Sequence, residues 1–322
     1  MPLLSVESLR MYYQVGRGFV KAVDGVSFNL GKGETLGIAG ESGCGKSSLA
    51  LTLLRILPSN ARIIDGSVLL EGRDILKMNE ETLRKEIRWK RISIVFQGAM
   101  NALNPVFRVG DQIAEAILLH EDVTKEEAHR RARELLKLVG IPPSRADNYP
   151  HEFSGGMKQR VMIAMALACN PDIVIADEPT TALDVIVQAQ ILKLLKDLRA
   201  KLNLSLILIT HDLSIISEIC DKVAIMYAGK IMEYGSAYDI FKNPLHPYTQ
   251  GLIAAIPSIR GPKKKLRSIP GTPPDLLNPP SGCPFHPRCP YADEICRQEP
   301  PPLIRLGRDR YVVCHKIEEG SA

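Results

Sequence analysis

The residues Gly40-Glu41-Ser42-Gly43-Cys44-Gly45-Lys46-Ser47 satisfy the spacing G-x-x-x-x-G-K-[ST]. They stand between a short apolar run, Thr35 to Ala39, and a stretch of helical periodicity, Ser47 to Leu57, that Pro58 ends. A strand, a glycine-rich loop and a helix in that order leave little freedom of fold. The glycines let successive backbone N–H groups turn inward around phosphate oxygens, and the start of the helix adds the positive end of its dipole. Gly40, Ser42, Gly43, Cys44 and Gly45 form the cradle. Lys46 is placed to reach β- and γ-phosphates, Ser47 to hold Mg²⁺, and Ser48 completes the set at the start of the helix. Because the cradle is made of backbone, the side chain of Cys44 reads as a neutral filler rather than a redox switch.

Three more short runs rich in Ile and Val read as buried strands: Arg91 to Gln97, Asp172 to Asp177 and Leu206 to Thr210. Val223 to Tyr227 and Lys230 to Tyr234 flank Ala228-Gly229 and predict a hairpin. Between Asp111 and Ala168 the pattern is almost wholly helical, including the charged stretch Lys125 to Val139. It predicts a helical insertion, about residues 98–168, between two strands of an α/β core. With 45% hydrophobic and 24% charged residues among 322, the chain can build a sizeable core, which excludes a disordered or low-complexity protein. Its formal charge of +5 is too small for a surface coated for nucleic acid, and no nucleic-acid partner is expected. The apolar stretch Val161 to Ala176 is broken by Asn170, Pro171 and Asp172, so no run is expected to span a membrane. No basic region followed by an apolar block marks export, and the expected compartment is the cytosol.

Phe153-Ser154-Gly155-Gly156-Met157-Lys158-Gln159-Arg160 opens a helix that runs through Val161 to Ala168. Ser154 and two glycines at a helix start read either as a second anion site or as a simple N-cap. Ile173-Val174-Ile175-Ala176-Asp177-Glu178 is an apolar strand ending in two carboxylates. With the phosphate loop, these residues resemble the motif set of ATP-binding-cassette (ABC) ATPases. The resemblance implies a P-loop NTPase fold of the ABC type, with ATP and Mg²⁺ as cofactors. It implies that Asp177 binds Mg²⁺ through water, with Ser47 and Gln97 as further partners of the ion, and that Glu178 orients or deprotonates the attacking water. Gln97 matches the Q-loop glutamine, and His211 the switch histidine at the γ-phosphate. Asp184, in Ala182-Leu183-Asp184, matches the D-loop, and Tyr13, with Tyr12 beside it, the aromatic ring under adenine. Two such subunits pack head to tail, so Ser154, Gly155 and Gly156 would contact ATP held by the other subunit's loop.

The run His151 to Ala166, the triplet Leu103-Asn104-Pro105 and the segment Asn243-Pro244-Leu245-His246-Pro247-Tyr248-Thr249 narrow the resemblance to D-type ATPase subunits of oligopeptide and dipeptide permeases. That branch implies an ATPase bound peripherally at the cytoplasmic face of the membrane. Its implied partners are a second, paralogous ATPase subunit, two integral membrane permease subunits and an extracytoplasmic solute-binding protein. Importers of oligosaccharides and of nickel belong to the same branch. The competing class is a soluble ABC ATPase acting on ribosomes or DNA; such proteins resemble tandem or coiled-coil-bearing chains, whereas this one has one phosphate loop, one signature and no long heptad run. A scaffold that binds ATP without hydrolysing it is disfavoured by Glu178.

The composition changes near Ile256. Residues 257–322 hold 13 of the 23 prolines, four of the 7 cysteines, and 11 Lys and Arg against 7 Asp and Glu. This divides the chain into an ATPase domain, 1–256, and a small Pro- and Cys-rich C-terminal domain, 257–322. Cys283, Cys289, Cys296 and Cys314 are separated by five, six and seventeen residues. So small a region can hardly bury enough surface without a staple, which in a reducing compartment is metal rather than disulfide. Four thiolates suit Zn²⁺ or a [4Fe-4S] cluster. The paired C-x₂₋₄-C knuckles of structural zinc are absent, and some members of the dipeptide-permease branch resemble this pattern and carry the cluster. The expectation is therefore a [4Fe-4S] cluster, with Zn²⁺ as the alternative, His286 and His315 as substitute ligands, and four unliganded buried thiols as the remaining reading. The basic run Lys263-Lys264-Lys265-Leu266-Arg267 reads as a solvated linker that favours a nearby anionic membrane surface.

Overall fold

A computed structural model describes residues 1–16, 18–98, 102–256, 268–307 and 309–318, so the basic run Lys263 to Arg267 lies outside the described residues. The chain forms two compact units, one of Met1–Leu30, Thr35–Leu76 and Thr210–Ala322, the other of Gly31–Glu34 and Lys77–Ile209.

In the first unit an antiparallel sheet runs in the order Gly18–Leu30, Leu4–Val15, Ala61–Leu70, Arg73–Asp74. This sheet is absent from the strand pattern read above, and its irregular register explains why. Leu4 and Val6 are buried at period two, but the next buried residues are Leu9 and Met11, and the register shifts between Val6 and Leu9. Ser8, at the shift, has φ 47°. A bulge of this kind changes which face odd and even positions occupy, so a fixed alternation cannot be followed across it.

The same unit holds the strand Thr35–Ala39, buried throughout and parallel to Lys222–Tyr227. Lys222–Tyr227 turns into Lys230–Ser236 through Ala228 and Gly229, whose φ values are 50° and 78°. Positive φ at both central residues marks the two-residue hairpin turn whose twist matches paired strands. Past Ile256 the described residues remain in this unit: Tyr311–Val313 pairs antiparallel with Lys230–Ser236, and Leu303–Arg305 pairs with Tyr311–Val313. The Tyr311 ring stacks on Tyr234 at 5.3 Å, and its hydroxyl donates to the Ser27 carbonyl at 2.6 Å.

The helix after the phosphate loop covers Lys46–Leu53, ending before the Pro58 stop that the sequence suggests. Arg55, at φ 51°, is the cause. Its N–H donates to the Thr52 carbonyl and that of Ile56 to Leu51, closing the last turn in the reciprocal pattern of a Schellman motif. A left-handed arginine in that role gives no signal comparable to glycine.

The second unit contains three parallel strands, Ile92–Val95, Ile173–Asp177 and Ser205–Ile209, in spatial order. The latter two are buried at every position, which is why they read as continuous apolar runs rather than alternating ones. Between Ile92–Val95 and Ile173–Asp177 come the helices Val109–His120, Lys125–Leu138 and Gly155–Ala166. Lys125–Leu138 buries Ala128, Ala132 and Leu136, one residue per turn, and Thr124 caps it by accepting from the Glu127 N–H at 3.2 Å. The helix Val185–Leu202 completes the unit. Among the described residues no helix is long and apolar enough to cross a membrane.

The hairpin turn supports the phosphate loop directly, since the Gly229 N–H donates to the Cys44 carbonyl at 2.9 Å. A Cβ on Gly229 would fall 2.4 Å from the Lys21 carbonyl oxygen. Gly229→Ala is therefore expected to cost at least about 2 kcal/mol, from left-handed strain plus the clash. Denaturant unfolding measures it, and an unchanged midpoint would contradict the turn geometry.

Candidate active site

The phosphate loop leaves the buried strand Thr35–Ala39 at Gly40 and enters the helix Lys46–Leu53 through Gly45, its N-cap. Gly45 has φ 105°, and a Cβ there would lie 1.9 Å from the Ala22 carbonyl oxygen, so the neighbouring strand fixes glycine at this position. Lys46 is 6% exposed. Its Nζ donates to the carbonyls of Gly40 at 2.8 Å and Glu41 at 2.9 Å, and lies 3.7 Å from Cys44 Sγ. Burial pushes the Cys44 thiol up, against the pull of the Lys46 charge. This fits the reading of Cys44 as a neutral filler.

Tyr12 and Tyr13 separate cleanly. The Tyr13 hydroxyl donates to Ser48 Oγ at 3.1 Å, on the helix after the loop, whereas the Tyr12 hydroxyl donates to Asp24 at 2.8 Å. Asp24 also accepts from Lys230 Nζ at 2.6 Å. Burial, and then the bond to Asp24, push the Tyr12 phenol up to about 12. Of the two, Tyr13 is hydrogen-bonded to the phosphate-loop helix.

A further support, unmarked in the sequence reading, holds Glu41. Its N–H donates to the Tyr248 hydroxyl at 2.9 Å. Tyr248 lies in the first turn of the helix Pro247–Ala254, capped by His246, whose Nδ1 accepts from the Tyr248 N–H at 3.0 Å. The His246 N–H in turn donates to Glu233 at 3.0 Å, and burial raises the Glu233 carboxyl. His246 is buried with an accepting Nδ1, and burial pushes its imidazole down to about 3. His211, exposed, directly follows Thr210 in this unit.

In the second unit Asp177 is buried at the end of Ile173–Asp177, and Glu178 follows at φ 45°. Glu178 Oε2 accepts from Gln97 Nε2 at 2.8 Å and from Thr181 Oγ1 at 2.9 Å. Gln97 and Glu178, 81 positions apart, are thus brought together, and Thr181 is a partner the motif reading missed. Ser154 caps the helix Gly155–Ala166, its hydroxyl accepting from the Met157 N–H at 3.4 Å. The two readings of Ser154 are compatible, because one hydroxyl at a helix start can cap while neighbouring amides face an anion. Asp184 Oδ1 accepts from the N–H groups of Ile186 and Val187, capping Val185–Leu202. The Val187 side chain fills the space beside Gly156, so the starts of these two helices pack together.

In the first unit the glycine cradle, its buried lysine and Ser47 at the helix start fit the phosphates of a nucleotide; in the second, the carboxylate pair at a strand end has the chemistry that suits a hydrated cation. The C-terminal cysteines differ from expectation. Cys283, Cys296 and Cys314 are buried and Cys289 is partly exposed, all as free thiols. The Cys283 N–H donates to the Cys296 carbonyl at 2.8 Å. Burial, reinforced by the other three thiols, pushes Cys283 up to about 11. Among the described residues, however, no group of three or more His, Cys, Asp or Glu is arranged to hold a metal ion. His286 and His315 each place a ring nitrogen 3.0 Å from a backbone carbonyl, that of Cys283 and that of Glu299. The side chains as placed thus give a [4Fe-4S] cluster or Zn²⁺ no ready ligand set.

Comparison with known proteins defines the class. The ABC transporter family model matches residues 23–181, and that of the oligopeptide/dipeptide transporter C-terminal region matches 232–296. The dimeric structure of a post-hydrolysis state of the ATP-binding cassette MJ0796, bound to ADP and Pi, has a TM-score of 0.64 at 28% identity, covering 73% of this chain and 98% of that one. The fold is that of an ABC ATPase. The oligopeptide transport ATP-binding protein OppD of Escherichia coli is 51% identical over 320 residues, 98% of this chain and 94% of that protein. The dipeptide transport ATP-binding protein DppD of Caldanaerobacter subterraneus is 48% identical over 320 residues, 99% of this chain and 98% of that protein. DppD of Bacillus subtilis is 50% identical over 297 residues, 91% of this chain and 88% of that protein. The chain belongs to the family of oligopeptide and dipeptide ABC transporter ATP-binding proteins.

The support behind Glu41 carries a pH signature. An imidazole held near 3 when folded and near 6.5 when unfolded binds fewer protons in the folded state, so its contribution is complete above pH 6.5 and is lost as pH falls toward 3. Within that window the loss has a limiting slope of about 1.4 kcal/mol per pH unit. Urea unfolding between pH 7 and 5 should show a steeper fall for the wild type than for His246→Asn, which retains a capping side chain. Parallel curves would exclude His246 as the titrating group.

Proposed function

We propose that the chain is the ATP-hydrolysing subunit of an ABC importer for peptides. The observation that carries this reading is near-full-length likeness, at about half identity, to proteins named for oligopeptide and dipeptide transport. Residues 1–256 are read as the ATPase domain and 257–322 as its extension. The subunit would lie peripherally at the cytoplasmic face of the membrane, with two integral membrane permease subunits, a solute-binding protein and a second, paralogous ATPase subunit.

In this reading the loop amides, Lys46 and Ser48 hold the phosphates, and Tyr13 faces adenine. Ser47, Gln97 and Asp177 would hold Mg²⁺, which supplies neutralisation of charge at the β- and γ-oxygens. Glu178 is the group that handles water. Two donors on the same oxygen, from Gln97 and Thr181, fix the direction of its carboxylate before a water is placed. His211 would meet the γ-phosphate. Ser154, Gly155, Gly156 and Asp184 would serve the ATP of the partner ATPase subunit, so the isolated chain should bind MgATP yet hydrolyse it slowly.

The complex purified from native membranes tests these assignments. Lys46→Ala should lose nucleotide binding, while Glu178→Gln should keep it and lose turnover by a factor on the order of 10² or more. Normal ATP hydrolysis by Glu178→Gln would remove Glu178 from its role. Subunit masses from the same preparation should include a related ATPase and permease subunits; two copies of this chain alone would overturn the pairing.

For the cysteines we propose a metal centre, a [4Fe-4S] cluster ahead of Zn²⁺. Support comes from the sequence, four cysteines within one Pro-rich segment, and not from the side-chain positions. Ligation would require the side chains to close in from the positions described above and to lose their protons. Anaerobic purification should yield brown protein with bound iron. Colourless protein with stoichiometric zinc would replace the cluster by zinc, and protein without either metal would remove both.

A further inference from the structure

Glu41, the second residue of the phosphate loop, is held at every polar group it has. Its carbonyl accepts from Lys46 Nζ at 2.9 Å, and its N–H donates to the Tyr248 hydroxyl at 2.9 Å. Its carboxylate accepts a two-pronged bond from Arg288: Nη1 to Oε2 at 2.6 Å and Nη2 to Oε1 at 2.9 Å. Arg288 stands 247 positions further along the chain, just before Cys289. Its side chain is 4% exposed and its guanidinium is fixed from other sides as well. Nε donates to the Pro270 carbonyl at 2.8 Å, Nη1 lies 3.4 Å from the Tyr227 hydroxyl, and the guanidinium carbon sits 5.7 Å from the Tyr227 ring centroid. Arg288 closes the short turn His286–Arg288, which follows Phe285, whose ring packs against Tyr227 and Tyr248 at 5.3 Å each.

We propose that Arg288 is a positioning residue for nucleotide binding, acting on the phosphate loop through Glu41. The inference rests on the nucleotide-site reading given above. The aromatic contacts of Phe285 already hold the C-terminal segment in place, so cohesion alone gives no need to bury the Arg288 guanidinium, which carries a desolvation cost even beside a half-buried carboxylate. What the planar, bidentate pair adds is direction: it fixes Glu41 about the axis of its side chain, and with it the peptide groups on either side. That matters because two of the three Lys46 donors are spent on the carbonyls of Gly40 and Glu41, and serving phosphate oxygens draws the ammonium away from them. Tyr248 and Arg288 then keep the start of the loop in the shape the phosphates require. Arg288 touches neither nucleotide nor cation; it sets how well the loop is preorganised.

A double-mutant cycle on the full chain tests this, with N-methylanthraniloyl-ATP and Mg²⁺ as the fluorescent probe and circular dichroism as the check on folding. Arg288→Gln and Glu41→Gln should each weaken binding on the order of tenfold to a hundredfold, the scale expected when a site is misplaced from a distance. The double variant should be no weaker than either single one, and Arg288→Lys should recover part of the loss, because one charge remains without the fork. A folded Arg288→Gln with wild-type affinity, or losses that multiply in the double variant, would overturn the inference. If Arg288→Gln does not fold, Glu41→Gln and Arg288→Lys decide: wild-type affinity in both overturns it, and graded loss supports it. A wild-type chain that fails to bind the probe would instead overturn the nucleotide-site reading, and this inference with it.

Discussion

An ammonium group with almost no access to water, solvated by two carbonyls of its own loop, is the interaction around which the first unit is arranged. Those carbonyls, of Gly40 and Glu41, must face the same cation, which fixes how the chain leaves Thr35–Ala39. Burying a lysine is tolerable only when its donors are satisfied. The surrounding structure supplies that geometry: Ala22 closes on Gly45, Gly229 donates to the Cys44 carbonyl, and Tyr248 takes the Glu41 N–H. The hairpin from Lys222 to Ser236 and the helix Pro247–Ala254 are therefore as much part of the loop as its glycines.

The second unit solves a different problem by similar means. Glu178 sits at a left-handed backbone position just after a fully buried strand, which turns its side chain out of the strand's alternation. Gln97 and Thr181 then share its Oε2. In one unit a cation is held by backbone acceptors, and in the other an anion by side-chain donors. Each half is ordered within its own unit.

What the sequence reveals follows from how local each signal is. Thr35–Ala39, Ile173–Asp177 and Ser205–Ile209 are short, apolar and buried at every position, so their runs mark them with errors of a residue or so. The site motifs were legible for the same reason, being contiguous. The sheet of Leu4–Val15, Gly18–Leu30 and Ala61–Leu70 was not, because bulges interrupt its alternation. Nor was the early end of Lys46–Leu53, where arginine does what glycine normally does. The Tyr248 and Arg288 contacts to Glu41 carry no sequence signal, since neither spacing nor composition links residues so far apart. The cysteines show the opposite failure: their spacing suggests a ligand set that the placed side chains do not form.

The separation of Glu41 from Arg288 bears on how the protein is made. A chain emerging from its N-terminus at roughly 5–20 residues per second completes every recognisable ATPase motif by His211, yet reaches Arg288 only several seconds later. During that interval the loop has its glycines and its lysine but not its last anchor. Appearance of Arg288, rather than of the motifs, then marks when the nascent loop can gain that anchor.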